Sequence, residues 1–399
     1  MPEIQDLIHP ADLIRTKSVE YFRQKAEDYF ARFPHPDKQL GKPFSDPKEM
    51  PRSLHHLGQL FAGLKLGKAQ RVLDFGAGTC WLSRFLNQLG CTTVAVDVSL
   101  TALELGRRLF REYPIVGKLL DEPRFVLSDG RTIPLDDESV DRIVCFDALH
   151  HVPNQAEVLK ELRRVLKTGG IAGFAEPGRH HSRSSGAQFE MANYGLLEND
   201  MILEDIWQNA KDAGFTNMKV APVLSSDSFL EPADYRDLIE KRTVPDRLIE
   251  SLIVGSGSAS IFFLLKGPTA HDSRVPFGLS YRMAIKPDEY VFQTNRPVKI
   301  SCHIQNTGAA VWIHRTPWGI GNVKIGGHLY DARKNLLNFD FFRSYFSHDI
   351  RPGETVSREI ELTFEKHEVF YVGVDLVSES VAWFEQLGNR SKMVKLIPE

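Results

Sequence analysis

Residues 72–99 read VLDFGAGTCWLSRFLNQLGCTTVAVDVS. An apolar run reaches Asp74 and Phe75, a turn carries Gly76 and Gly78, apolar residues then recur at helical spacing, and a second apolar run closes on Asp97. Strand, glycine turn, helix and strand in that order predict a parallel β-α-β unit. The glycines let the backbone approach a ligand closely, and the helix behind them offers unpaired N–H groups at its start. An acid about 20 residues beyond such a turn is placed to accept both hydroxyls of a ribose. The ligand of this turn is therefore expected to contain a ribose. A dinucleotide fingerprint would need a third glycine at position 81, where Trp81 stands; its indole argues for a cofactor without phosphates.

The same alternation of short apolar strands with helices runs from Arg71 to about Gly267, through RVLDF, TTVAVDV, RFVLSD, DRIVCFD, GGIAGFAE, NMKVAPV and SASIFFLLK. It predicts an α/β domain over residues 68–268, with a Rossmann-like, mostly parallel seven-stranded sheet covered by helices on both faces. The last two strands read as an antiparallel pair, separated by the helical stretch 231–252. Residues 1–67 read as a helical cap with a Pro-rich interruption over 33–51, after which Leu54, Leu57, Leu60, Phe61 and Leu64 form an apolar helix face. Beyond a linker over 266–278, two-residue alternation takes over. Val298, Ile300, Cys302 and Ile304 share one parity, as do Val356, Ile360, Leu362 and Phe364, and residues 276–399 are expected to form an all-β immunoglobulin-like sandwich.

A chain of 399 residues has material for two or three domains. Its net charge of −3 lacks the basic excess that phosphate binding favours, so no nucleic-acid partner is expected. The four cysteines, Cys80, Cys91, Cys145 and Cys302, are scattered without a CxxC pair, as in reduced thiols of an intracellular protein. The first residues, MPEIQDLIHP, do not read as a secretory signal, and no apolar run approaches the roughly 20 residues of a membrane span. A cytoplasmic protein is the expectation.

The stretch from Asp74 to Asp97 resembles motifs I and II of the class I S-adenosylmethionine-dependent methyltransferases, and LSDGRTIPLDDESVDRIVCFDALHHVPNQAEVLKELRRVLKTGGIAGFAEPG resembles the motifs that follow in that family. The resemblance covers roughly residues 70–220 and departs at the third motif glycine, here Cys80, whose thiol would reshape the methionine end of the pocket. It implies S-adenosyl-L-methionine as cofactor. Gly76 and Gly78 would face its methionine part and Asp74 would orient the amino group. Asp97, with Val98 beside it, would hold the ribose hydroxyls. Asp129 would accept from the adenine amino group while Gly130 keeps the chain close, and Phe146 and Asp147 would floor the pocket near the methyl group. Asp129 and Asp147 have an alternative as turn formers at strand ends.

Methyl transfer from a sulfonium needs an aligned acceptor and, for a hydroxyl, removal of a proton, a task that suits histidine. In an open α/β sheet the ligand crevice lies outside the carboxyl ends of the strands, and His150 and His151, Glu176, and His180 and His181 all follow or end predicted strands. These five form the acid/base pool; His55 and His56 on the amino-terminal helix read as surface. Adjacent histidines in extended chain point their rings apart, and neither HExxH nor CxxC occurs, so no metal is expected. Phe189, Glu190, Met191, Tyr194 and Glu198, after the fifth strand, are expected either to wall an acceptor pocket or to form one more amphipathic helix.

The carboxy-terminal strands resemble, in short motifs, β-sandwich domains of bacterial glycan-export and glycan-modifying proteins. That resemblance implies sugar stacking on Trp312, Trp318, Tyr330, Trp383 and Phe384, whose alternative is packing in the sandwich core, and a glycan, protein or second-copy contact through the sandwich. The expected reaction is O-methylation of a saccharide hydroxyl. Two alternatives stay open: a small aromatic, polyketide or amine acceptor, favoured by an apolar pocket wall without an exposed aromatic face on the sandwich, and a non-catalytic cofactor-binding scaffold.

Overall fold

The structure, a computed structural model, describes residues 7–32, 36–115, 123–225, 228–316 and 318–399. The opening of the Pro-rich interruption, residues 33–35, lies outside them. The chain divides into two compact units, residues 1–66 with 70–269 and residues 67–69 with 270–399.

The first unit starts with helices α1 (Pro10–Thr16), α2 (Val19–Arg32), α3 (Pro36–Leu40) and α4 (Met50–Leu64). There follow β1 (Arg71–Phe75), α5 (Trp81–Leu89), β2 (Thr92–Asp97), α6 (Leu100–Glu112), β3 (Arg124–Leu127), β4 (Val140–Phe146), α7 (Gln155–Val165) and β5 (Leu166–Pro177). The unit closes with α8 (Ser185–Tyr194), α9 (Leu203–Ala213), β6 (Asn217–Ala221), α10 (Pro232–Lys241), α11 (Asp246–Ser258) and β7 (Ala259–Leu265). The sheet order is β3-β2-β1-β4-β5-β7-β6. β1 to β5 pair in parallel, and β7 runs antiparallel to both β5 and β6. The predicted α/β architecture is the observed one, including the antiparallel character of the last two strands.

Residues of alternate parity in the strands serve the two faces. Val72, Val144, Ile171 and Ile261 meet Leu60 and Leu64 of α4 and Leu82 and Leu86 of α5. On the other face Leu73, Ile143, Ala172 and Phe262 meet Leu159 and Leu162 of α7 and Ile206 of α9. The buried stripe of α4 is Ser53, His56, Leu57, Leu60 and Leu64, while Leu54 is exposed. The face read from the sequence is thus rotated slightly, because hydropathy alone excluded the polar Ser53 and His56 from the inside.

After β3 the chain crosses back over β2 and β1 to place β4 beside β1, and this reversal of strand order opens a crevice at the carboxyl ends of the central strands. The turn after β1 needs its glycine. Gly76 has φ +67, and a Cβ there would sit 2.3 Å from the Cβ of Ala148. Cys80, at the third motif glycine position, also takes the left-handed conformation, φ 58, as the N-cap of α5. Its side chain does not reach the crevice. It is fully buried with Ala77, Ala95 and Leu103, and it fills the space left by Gly106 of α6, where a Cβ would fall 2.5 Å from the thiol sulfur. The expectation that Cys80 reshapes the ligand pocket is therefore corrected: the thiol packs backward into the α5–α6 interface.

In the second unit, strands 289–292, 392–398, 370–378, 323–330 and 336–345 form one sheet in that order, with 382–383 paired on 370–378. Strands 355–363, 297–306 and 281–285 form another. Val298, Ile300, Cys302 and Ile304 of one sheet and Ile325, Val372, Val374, Val394 and Leu396 of the other share a single core, as the alternation predicted. The region 266–278 is less free than a linker: His271 and Asp272 pair with Ala310 and Val311, and Ser273 donates to the carbonyl of Gly321 at 2.6 Å. Trp312 and Phe384 are wholly buried and Trp383 nearly so, so these three belong to the interior and offer no sugar-stacking surface. Trp318 is exposed and Tyr330 half-buried.

The Cys80–Gly106 fit gives a test. Gly106→Ala is expected to cost about 1–3 kcal/mol by overpacking, and Cys80→Gly in the same chain should restore most of it by removing both the clash and the left-handed strain. Urea denaturation of the two single variants and the double variant reads this directly; strictly additive effects would mean the two residues do not share the space.

Candidate active site

A cavity of about 820 Å³ opens at the carboxyl ends of β1, β2 and β4, within the size range of sites that hold a cofactor-sized ligand. Its floor is Gly76, Ala77 and Gly78 from the glycine turn, with Asp97 and Val98 from the end of β2. Asp97 is buried; its carboxylate accepts from the Gly78 N–H at 2.7 Å and the Ser99 N–H at 2.8 Å. Burial pushes its carboxyl up, against those hydrogen bonds. Gly130, Phe146 and Asp147 also line the cavity.

Besides Cys80, two predicted cofactor-binding residues, Asp74 and Asp129, lie outside the lining. Asp74 is buried behind the turn, where its carboxylate accepts from the Ser83 hydroxyl at 2.6 Å. It therefore holds α5 against β1 and does not line the cavity. Asp129 is exposed and spends Oδ1 on its own turn, accepting from the N–H groups of Arg131 at 2.8 Å and Thr132 at 2.7 Å. The turn-forming alternative describes it, and its neighbour Gly130 supplies the cavity wall.

The amino-terminal helices roof the cavity. Glu27 of α2 accepts from the hydroxyls of Ser99 and Thr101 and from the Thr101 N–H at 3.2 Å, so it places negative charge at the start of α6, where the helix dipole favours it. Arg52 of α4 reaches Asp147 at 3.4 Å. His56, read as surface, is buried, and burial together with the Arg52 charge lowers its pKa to about 4. Neither Glu27 nor Arg52 was visible in the sequence, since both act across more than 70 residues.

At the other end of the cavity four residues of the acid/base pool converge, joined by one that was assigned only to the wall. Glu176, at the end of β5, is almost fully buried. Its Oε1 accepts from the N–H groups of Leu149 at 3.0 Å and Ala148 at 3.2 Å, and its Oε2 is 2.7 Å from His150 Nδ1. Burial opposes its ionisation, yet the His150 contact holds the carboxyl below its ordinary value. The other nitrogen, His150 Nε2, lies 3.6 Å from Glu198, which is also 2.7 Å from His181 Nε2 and 3.5 Å from His151 Nδ1. His151 Nδ1 is 2.6 Å from the Leu197 carbonyl, to which it donates.

The rings of His150 and His151 are 3.9 Å apart. Extended chain would have separated them, but residues 149–151 form a 3-10 turn, and this corrects the argument by which adjacent histidines were expected to diverge. His150, His151, His181 and Glu198 all line the cavity. His180 is exposed on the loop and does not, so it leaves the pool. Of the predicted acceptor wall, Glu190 and Glu198 line the cavity, Phe189 is exposed, and Met191 is buried outside it.

Residues 73–174 match the family model described as "Methyltransferase domain", so the glycine turn, Asp97, Asp147 and the histidine pair on 149–151 fall inside a methyltransferase-domain match. Among curated relatives, residues of this chain are 33% identical over 122 residues to methyltransferase GfsG of Streptomyces halstedii, covering 30% of this chain and 41% of that protein. They are 38% identical over 111 residues to demethylmenaquinone methyltransferase of Clavibacter sepedonicus, covering 27% and 42%. The chain thus spans about two-fifths of the length of these relatives. Among solved structures, phosphoethanolamine N-methyltransferase 2 of Haemonchus contortus in complex with S-adenosyl-L-methionine aligns with a TM-score of 0.41 at 17% identity, covering 61% of this chain and 60% of that one. Among the described residues no helix is long and apolar enough to cross a membrane.

Asp74 provides a pH test of the turn. Burial raises its pKa to about 7, against about 3.9 in an unfolded chain. Between these values the folded chain keeps a proton that the unfolded chain releases, so Asp74 makes the fold less stable as pH rises through that window. Asp74→Asn removes the titration, and its melting temperature relative to the natural chain should climb between about pH 4 and pH 7; a pH-independent difference would mean the carboxyl is not buried as described.

Proposed function

We propose that the first unit binds S-adenosyl-L-methionine and transfers its methyl group to an oxygen of a small acceptor. The observation that carries this reading is the meeting, in one cavity, of the Gly76–Gly78 turn and Asp97 with the His150–His181–Glu198 cluster. Asp97 would hold the ribose hydroxyls by turning from the Gly78 N–H, and Gly76 and Gly78 would leave room for the methionine part. The cofactor supplies an activated methyl group on a sulfonium, which leaves without assistance. What remains for the chain is to exclude water, align the acceptor and receive its proton. Glu198, with His181 and His150 on either side, would receive it.

The acceptor we propose is a hydroxyl or enol on a ring-bearing, largely apolar molecule. Phe22, Tyr29, Phe30, Trp81 and Phe146 line the cavity, a wall that favours flat apolar groups over a heavily hydrated one. A saccharide is the second reading. Its support is reduced to the exposed Trp318, because the burial of Trp312, Trp383 and Phe384 removes the aromatic face on which that reading leaned.

Calorimetric titration with S-adenosylmethionine and S-adenosylhomocysteine, with NAD as control, tests the cofactor; the first two should bind and the third should not. Asp97→Ala should weaken both by about 1.5–3 kcal/mol through loss of charge-assisted hydrogen bonds. His181→Ala should leave cofactor affinity intact and lower turnover with phenolic or enolic acceptors. Unchanged affinity in the Asp97 variant would refute the ribose assignment.

A further inference from the structure

Three of the residues around the acceptor end have a property beyond acid/base chemistry. His150, His181 and Glu198 each present one ligand atom, and these atoms all lie within 4.8 Å of one another. Two imidazole nitrogens and one carboxylate oxygen make a donor set that first-row divalent ions accept readily, with positions left open.

The hydrogen bonds around the group fix which nitrogens are free. His150 Nδ1 is 2.7 Å from Glu176 Oε2, whose partner oxygen is occupied by backbone N–H groups. Nδ1 therefore carries a proton toward Glu176, which leaves Nε2 as the nitrogen that a cation would take. Nε2 faces a Glu198 oxygen at 3.6 Å, too far for a hydrogen bond. A carboxylate behind an imidazole is the arrangement that orients histidine as a metal ligand.

Charge leads to the same place. Glu176 and Glu198 are both nearly fully buried, and two buried carboxylates need two positive charges nearby. Two imidazolium ions would supply them, but the His150 and His151 ring centroids lie only 3.9 Å apart, where two like charges repel. One divalent cation among neutral imidazoles supplies the same charge without an imidazolium. A second group with ligand-like spacing, His328, Asp375 and Glu385, lacks this freedom: the Asp375 oxygens already accept from the Tyr281 hydroxyl at 2.7 Å and the Glu385 N–H at 3.0 Å.

We propose that His150, His181 and Glu198 form a binding site for a divalent first-row transition ion, with Glu176 as the positioning residue behind His150, and that the open positions of the ion take the acceptor oxygen. All three ligands line the cavity, so the open positions face the space where an acceptor would lie. The proton that His181 Nε2 turns toward Glu198 must vacate that nitrogen for the ion to bind, moving to Nδ1 as the ring changes tautomer. The role of the ion rests on the methyl-transfer reading above, whereas its binding does not.

The test uses the full chain, stripped with a chelator and titrated calorimetrically with Zn²⁺ and Co²⁺, with Co²⁺ absorption reporting nitrogen ligation. One equivalent should bind. Glu198→Gln and His181→Ala should each weaken binding by more than about tenfold, and Glu176→Gln by about tenfold to a hundredfold, as for residues that orient a ligand. Glu385→Gln should leave it unchanged, and S-adenosylhomocysteine binding, measured in every variant, reports that the fold is intact. Absence of cation binding, or binding untouched by Glu198→Gln and His181→Ala, overturns the site. Cation binding without cofactor binding would leave the site standing and sink the methyl-transfer reading instead.

Discussion

The arrangement of the active end depends on burying one carboxylate. Glu176 lies at the end of β5 with almost no exposure, and an ionised acid there requires donors on every side. Those donors come from the exit of the neighbouring strand: the N–H groups of Ala148 and Leu149, the Cys145 thiol and the His150 ring. Removing one partner of such a buried network costs about 3–5 kcal/mol, enough to fix the chain after β4 in a single conformation. The 3-10 turn at 149–151 is that conformation, and it sets His150 and His151 side by side at the cavity.

The ligand end is held by a similar logic with smaller groups. Asp97 accepts from the Gly78 N–H, so the acid ending β2 fixes the turn following β1. Asp74 does the same for α5 through Ser83, and Cys80 closes the gap to α6. Glu27 then ties the amino-terminal roof to the start of α6. The hydrogen bonds satisfy groups that could not otherwise be buried, and together with the Cys80 packing they tie the glycine turn, α5, α6 and α2 to one another around the ligand end.

The sheet, its order of strands and helices, and the glycine turn were legible from residues 71–265 because hydrophobic periodicity is local and strong there. The β core of the second unit was legible for the same reason, in the parity of Val298, Ile300, Cys302 and Ile304. Side-chain direction was not. His180 and His181 are neighbours with equal claims in the sequence, yet a turn at 181–183 exposes the first and brings the second to Glu198. Asp74 and Asp129 occupy motif positions, but one is turned to Ser83 and the other to its own backbone. Glu198 lies in an irregular stretch after α8, without periodicity to mark it, and its importance comes wholly from three histidines gathered from two other segments.

That gathering also changes how these acidic and imidazole groups hold charge. An acid in water with neighbouring histidines would titrate as separate groups. Here Glu198 is buried between His150, His151 and His181, and its carboxyl is held below its ordinary value by their hydrogen bonds and charges, despite burial that pushes it up. A proton, or a cation, entering the cluster is therefore shared among groups whose energies depend on one another. The consequence is a histidine–carboxylate cluster whose charge state responds as a unit, held from behind by Glu176 and lining the cavity that also holds the glycine turn.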